Sequence, residues 1–168
     1  MSASRIKLSK SRAVFLILTA AVMAAIFILS SQTAAGSSNT SSGITKLYIK
    51  VFHSEYDSCS AARQKEIWSN ASFIVRKCAH FSIYAVLGFF ASFTAGKRRF
   101  FSNGSLGVVI FGFLYAFSDE IHQKFSEGRS CEFRDMMIDT CGVITGMVCS
   151  FILVRLITCL SDRLRKNN

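Results

Sequence analysis

The stretch SDEIHQKFSEGRSCEFRD, Ser118 to Asp135, stands between two apolar runs, LGVVIFGFLYAF before it and MMIDTCGVITGMVCSFILV after it. Either run is apolar enough to belong in a bilayer, yet nearly every residue between them is polar or charged. The preceding run is fully apolar only from about Leu106 to Phe117, too short to cross a hydrocarbon core of about 30 Å. The helix must therefore continue through SDEIHQKF, carrying Ser118, Asp119, Glu120 and Gln123 into the outer part of the membrane. Ionisable side chains at that depth are costly unless paired or watered, and they mark functional sites. Gly128 then permits a short reversal into the next helix.

That next helix spans Met136 to about Ile157 and places Asp135, Asp139, Gly142 and Gly146 on one stripe. Gly142 and Gly146 form GxxxG, which lets a neighbouring backbone approach closely, so the stripe should face the bundle. Upstream, ASFIVRKCAHFSIYAVLGFFASFTA forms another span with its charges in the first third. Arg76, His80 and Tyr84 follow one another at i, i+4 and make a polar seam. Lys77 points about 100° away and is expected to snorkel to the interface. Within one turn of that level, Asp119 and Gln123 share a face of the third span, with Glu120 about 100° round from Asp119.

Ala13 to Ser31, AVFLILTAAVMAAIFILSS, has no charge and is longer than the apolar part of a secretory signal, so it reads as an uncleaved first span. Gln32 to Asn70 is the one long hydrophilic segment. Its opening, TAAGSSNTSSG, has the composition of a flexible linker. In ITKLYIKVF, Ile44, Leu47, Tyr48, Val51 and Phe52 recur on one helical face, predicting an amphipathic helix in the headgroup plane. A second polar helix is predicted from Ser60 to Asn70, with Ile67 and Trp68 as an interfacial anchor.

Basic residues set the topology. Met1 to Arg12, Lys97 to Arg99 and Ser161 to Asn168 hold ten of the twenty Lys and Arg residues and one acid, Asp162. An excess of this kind marks cytoplasmic segments. The fold class is therefore all-α: a four-helix transmembrane bundle in a multi-pass protein of the cell membrane, both termini cytoplasmic. Residues 1–12 form a basic inner N-terminus, 13–31 the first span, 32–70 an extracellular loop with amphipathic helices, 71–158 a core of three spans, and 159–168 a basic inner C-terminus. The net charge of +10 follows from this topology, and no nucleic-acid partner is expected. The six cysteines contain no CxxC pair and give no metal signature. No cofactor is expected. Cys59 and Cys131 both face outward, and spacing leaves open whether they pair.

The combination of RKCAHFSIYAVLG, YAFSDEIHQKFSEGRS and the following Asp135 and Gly142 resembles the VanZ-like family, small membrane proteins named for one associated with teicoplanin resistance. The resemblance covers roughly residues 76 to 146, leaving the first span and the outer loop outside it. It implies that Arg76, His80, Tyr84, Asp119, Glu120, Gln123, Arg129 and Asp135 occupy the family's polar positions. Two positions depart from the pattern: Asp139 stands where asparagine is usual and Glu127 where proline is customary. The resemblance also implies a role at the cell envelope, with lowered susceptibility to lipoglycopeptide antibiotics of the teicoplanin type.

Two function classes stay open. In the first, the residues just named, together with Asp139, form an outward-facing site that binds or modifies a membrane lipid or a lipid-linked cell-wall precursor. Arg76 and Arg129 grip a phosphate or carboxylate. Asp119 and Glu120 hold Arg76, coordinate a divalent ion bridging to a lipid phosphate, or act as base with His80 carrying the proton. His80, Asp119 and Glu120 are the catalytic candidates, although no nucleophile-plus-base arrangement is legible. In the second, the ion pairs only fix the helix bundle and the protein acts through a partner. A proton-coupled carrier ranks last, because the inner halves of the spans carry almost no ionisable residue besides Arg155.

Overall fold

The computed structural model describes residues 10–95, 102–126, 128, 129 and 131–166, and among these every regular element is helical. The basic residues before Lys10, the Lys97–Arg99 connection and Glu127 lie outside the described residues. Five α-helices follow in order: α1 Lys10–Ser30, α2 Ala34–Phe52, α3 Ala61–Ala95, α4 Asn103–Gln123 and α5 Phe133–Lys166. Of these, α1, α3, α4 and α5 are long and apolar enough to cross a membrane. The expected four-span bundle is the observed architecture.

The core follows from where the apolar stripes meet. Ile26 of α1, Tyr84, Leu87 and Ala91 of α3, Val108 and Ala116 of α4, and Val143 and Met147 of α5 form one buried cluster. On α1 only Thr19, Ile26 and Ser30 are buried, all on one face, while Val14, Ile17, Phe27 and Ile28 stay exposed. A helix apolar on all sides that buries one narrow stripe is built for lipid on the remainder. Phe15 stacks on Phe93 with ring centroids 4.5 Å apart, and the Tyr115 hydroxyl donates to the Met23 carbonyl at 2.7 Å, fixing α1 against α3 and α4.

α3 and α5 pack most intimately. A side chain at Gly142 would meet the Phe81 carbonyl oxygen at 2.5 Å, and one at Gly146 the Ala85 carbonyl oxygen at 1.7 Å. The expected role of GxxxG is realised against α3, whose own Gly88 lies as close to the Val143 backbone. Ser92 and Ser150 join the two helices further along by a buried hydroxyl pair.

The hydrophilic segment differs from its expected form. Residues 34–43 are not a loose linker: they form the first half of α2, continuous with the amphipathic turns up to Phe52. Thr33 caps the start, its hydroxyl accepting from the Gly36 amide at 3.1 Å. Thr40, Ser41 and Thr45 each donate a hydroxyl to the carbonyl four residues back, at 3.0 Å, so side chains that favour turns are absorbed by the helix itself. The polar helix expected at Ser60–Asn70 runs without a break into the second span, giving α3 its 35 residues. At 1.5 Å per residue such a helix is about 52 Å long, well beyond the hydrocarbon core. Its projecting end pairs with α2 through Ile49, Ile67 and Ala71, flanked by Tyr48, Tyr56 and Trp68. Ile67→Ala should cost this hairpin about 2–4 kcal/mol, read as faster hydrogen exchange in α2 with α4 and α5 unchanged. Cys59 and Cys131 are each unpaired.

Candidate functional site

The polar end of the bundle is where α1 stops, α4 ends and α5 begins, with the middle of α3 and the start of α2 alongside. Charged and polar side chains from these elements surround a cavity of about 190 Å³. Its walls include Arg76, Lys77 and His80 of α3, Gln123 of α4, Arg129 from the reversal, and Asp135 and Asp139 of α5, with Ala34 and Ser37 of α2 closing one side. Gly128 makes the reversal with φ of 75°, as its position in the sequence requires.

Of the residues expected at a site, Arg76, His80, Gln123, Arg129, Asp135 and Asp139 line this cavity. Asp119, Glu120 and Tyr84 lie behind its wall and are almost wholly buried. Each has a definite setting. The Asp119 Oδ2 accepts from the Ser30 hydroxyl and from the Gln123 amide, both at 2.9 Å. Gln123 then accepts from Arg129 Nη1 at 2.9 Å, so α1, α4 and the reversal are joined in one chain of hydrogen bonds. The Glu120 Oε2 accepts from the Glu132 amide at 3.0 Å, immediately before α5. A carboxylate at a helix start satisfies an otherwise unpaired amide and opposes the positive end of the helix dipole.

Two pairings depart from the expected ones. Arg76 is not held by Asp119 or Glu120: its Nη1 donates to the Ser38 hydroxyl at 2.6 Å. Lys77 does not leave for the interface: it pairs with Asp135 inside the cavity, its ammonium 5.1 Å from the Phe73 ring centre. His80 faces Asp139, its Nδ1 3.8 Å from Oδ2, too far for a hydrogen bond. Among the described residues neither Asp139 oxygen has a hydrogen-bond partner, and neither has the Tyr84 hydroxyl. His80, Asp119 and Asp139 each turn one ligand-type atom inward, these atoms lying within 4.8 Å of one another.

Arg76 and Arg129 are the cations without a carboxylate partner in the cavity, among the described residues. Burial pulls the Arg129 guanidinium below its ordinary pKa, and the like charge of Arg76 pulls the same way. The polar cavity also has an apolar neighbour. A groove of about 150 Å³ shares Ser37, Arg76 and His80 with it and continues over Ile26, Leu29, Ala79 and Ile83, with Ser30, Gln32, Thr40 and Ser41 also in its lining.

A family model described as VanZ/LLP1 matches residues 15–155. The chain belongs to the VanZ/LLP1 family. No curated protein and no solved structure matches it. The VanZ/LLP1 match begins within α1 and takes in α2, so it reaches beyond the part first recognised, residues 76 to 146. Two contacts from that added part reach the site: Ser30 of α1 donates to Asp119, and Ser38 of α2 accepts from Arg76. Sequence reasoning missed Ser30, Ser37 and Ser38 because hydroxyls carry no periodic signal. Lys77 it missed because an isolated helical wheel does not show that α5 occupies the lysine's side of α3.

Proposed function

We propose that this multi-pass VanZ/LLP1 protein binds or modifies a lipid-anchored component of the cell envelope at an outward-facing site. The observation that carries the reading is amphipathic. A cavity whose two guanidinium groups have no carboxylate partner among the described residues adjoins an apolar groove at Arg76 and His80. An anionic headgroup, phosphate or carboxylate, matches the paired donors of guanidinium. An acyl or prenyl chain matches the groove. Ligand sites of this kind, mostly apolar with a few convergent polar groups, are the usual form for small molecules.

The excess of Lys and Arg at both ends of the chain supports cytoplasmic termini, the orientation in which the cavity faces the exterior. Lowered susceptibility to lipoglycopeptide antibiotics of the teicoplanin type then follows from holding a lipid-linked wall precursor where such a drug meets it less readily. A second reading keeps some support from two contacts: Glu120 with the start of α5 and Lys77 with Asp135 both fix helices to one another. These residues are assigned to holding the bundle, and Arg76 and Arg129 to the ligand.

Native mass spectrometry of the protein in detergent tests the assignment. The wild type should carry a co-purified lipid or lipid-linked sugar, and Arg129→Ala should lose most of it, since a charge-assisted hydrogen bond is worth about 2 kcal/mol, more than tenfold in affinity. An empty wild type, or an undiminished adduct in the variant, rejects the site.

A further inference from the structure

Beneath the guanidinium groups, the acids are poorly compensated. Asp119 and Asp139 are 4% and 1% exposed. Lys77 is taken up by Asp135, Arg76 by Ser38 and Arg129 by Gln123. Asp119 is held by neutral donors, and neither oxygen of Asp139 has a hydrogen-bond partner among the described residues. Buried carboxylates without a cation are strongly unfavourable. Among the described residues, the basic side chain paired with Asp139 is His80, its Nδ1 3.8 Å away. That spacing exceeds a hydrogen bond but suits two groups that ligate a common ion. The buried Tyr84 hydroxyl likewise has no hydrogen-bond partner among the described residues.

We propose that His80, Asp119 and Asp139 bind a divalent first-row metal ion, Zn²⁺ or Mn²⁺, at the floor of the cavity. The three ligand atoms come from three helices, α3, α4 and α5, and lie within 4.8 Å of one another. A shared ion at about 2.0–2.2 Å from each donor brings ligand atoms to comparable separations after small side-chain rotations. The donor set decides the metal class. One imidazole nitrogen with two carboxylates disfavours Ca²⁺, which takes six to eight oxygens, and Mg²⁺, which prefers oxygen and retains its waters. Three protein ligands also leave a coordination position open, the pattern of zinc sites that meet a ligand rather than those that only brace a fold. His80 and Asp139 line the cavity that Arg76 and Arg129 also line, so an anion held there would be within reach of the ion. The ion would join the two guanidinium groups around one anionic group. The metal proposal stands on its own geometry and does not depend on the identity of any lipid.

Isothermal titration of tag-free, chelator-stripped protein in detergent with ZnCl₂, and separately with MnCl₂, tests it with the metal alone. One equivalent of at least one of the two ions should bind the wild type and raise its unfolding temperature. Asp139→Asn, which keeps the shape and removes the charge, should weaken binding tenfold or more and abolish the thermal shift. Should that variant fail to accumulate, His80→Gln makes the same test at a partly exposed side chain. The double variant His53→Ala with His122→Ala removes the other imidazoles and should bind as the wild type does. Absence of one-equivalent binding for both ions, undiminished binding in Asp139→Asn or His80→Gln, or loss of binding in the double variant overturns the proposal.

Discussion

Gly146→Val is expected to break the seam between α3 and α5 and to lower the unfolding temperature more than any other single change considered. A Cβ at that position would lie 1.7 Å from the Ala85 carbonyl oxygen, 2.6 Å from its carbon and 2.9 Å from the Phe89 nitrogen. All three atoms are backbone, so no rotamer change relieves the clash and the helices must separate. Overpacking a tight core costs about 1–3 kcal/mol and more where the backbone has to move, so a loss of about 3 kcal/mol or more is expected, roughly 10 °C for a chain of this size. Scanning fluorimetry in detergent reads it. Gly43→Ala is the control: nothing stands within 4 Å of a Cβ there, on an exposed position of α2. Alanine in a helix interior gains about 0.5–1 kcal/mol over glycine, so the unfolding temperature should hold or rise. A Gly146 variant as stable as the wild type would mean that α3 and α5 do not pack through this stripe.

The same stripe marks the limit of what the sequence makes legible. Asp135, Asp139, Gly142 and Gly146 share a face by spacing alone, and GxxxG indicates close approach without naming the helix that approaches. Span number is legible because the apolar runs are long and the charges between them few. The depth of Asp119, Glu120 and Gln123 is legible because a run ending at Phe117 is too short to cross. α2 is not, since its first half is Ser, Thr, Asn and Gly, residues whose local preference is for turns. Docking on α3 through Ile49 and Ile67 overrides that preference, as tertiary packing commonly does. One available signal concerns α3. From Ser60 to Leu87 there is neither glycine nor proline, so nothing in the chain stops the polar helix before the span begins. Partner choice within the site was beyond reach. Arg76 meets Ser38 rather than an acid because α2 folds back over the cavity, and no periodicity reports a contact made across that distance in the chain.

Lys77→Ala should destabilise the protein by about 2 kcal/mol, less than the 3–5 kcal/mol typical of breaking a fully buried ion pair. The reduction follows from exposure, since the two side chains retain 25% and 13% of their accessible surface. Removing the lysine strands Asp135, whose Oδ1 has no hydrogen-bond partner among the described residues and stands 3.9 Å from Arg134 Nε. Removing both charges strands nothing. The double variant Lys77→Met with Asp135→Leu should therefore recover most of the lost stability, because well-packed apolar replacements of an ion pair are often neutral. The cycle also separates the two roles assigned to the cavity's charges. If Lys77 and Asp135 only fasten α3 to α5, the double variant unfolds near the wild-type temperature and keeps its lipid adduct in native mass spectrometry, while Arg129→Ala loses the adduct at a stability cost of about 1–2 kcal/mol, that of leaving Gln123 Oε1 unpaired. If instead the double variant is stable but empty, Lys77 contacts the ligand directly and the cationic set of the site must be extended from the two guanidinium groups to include its ammonium.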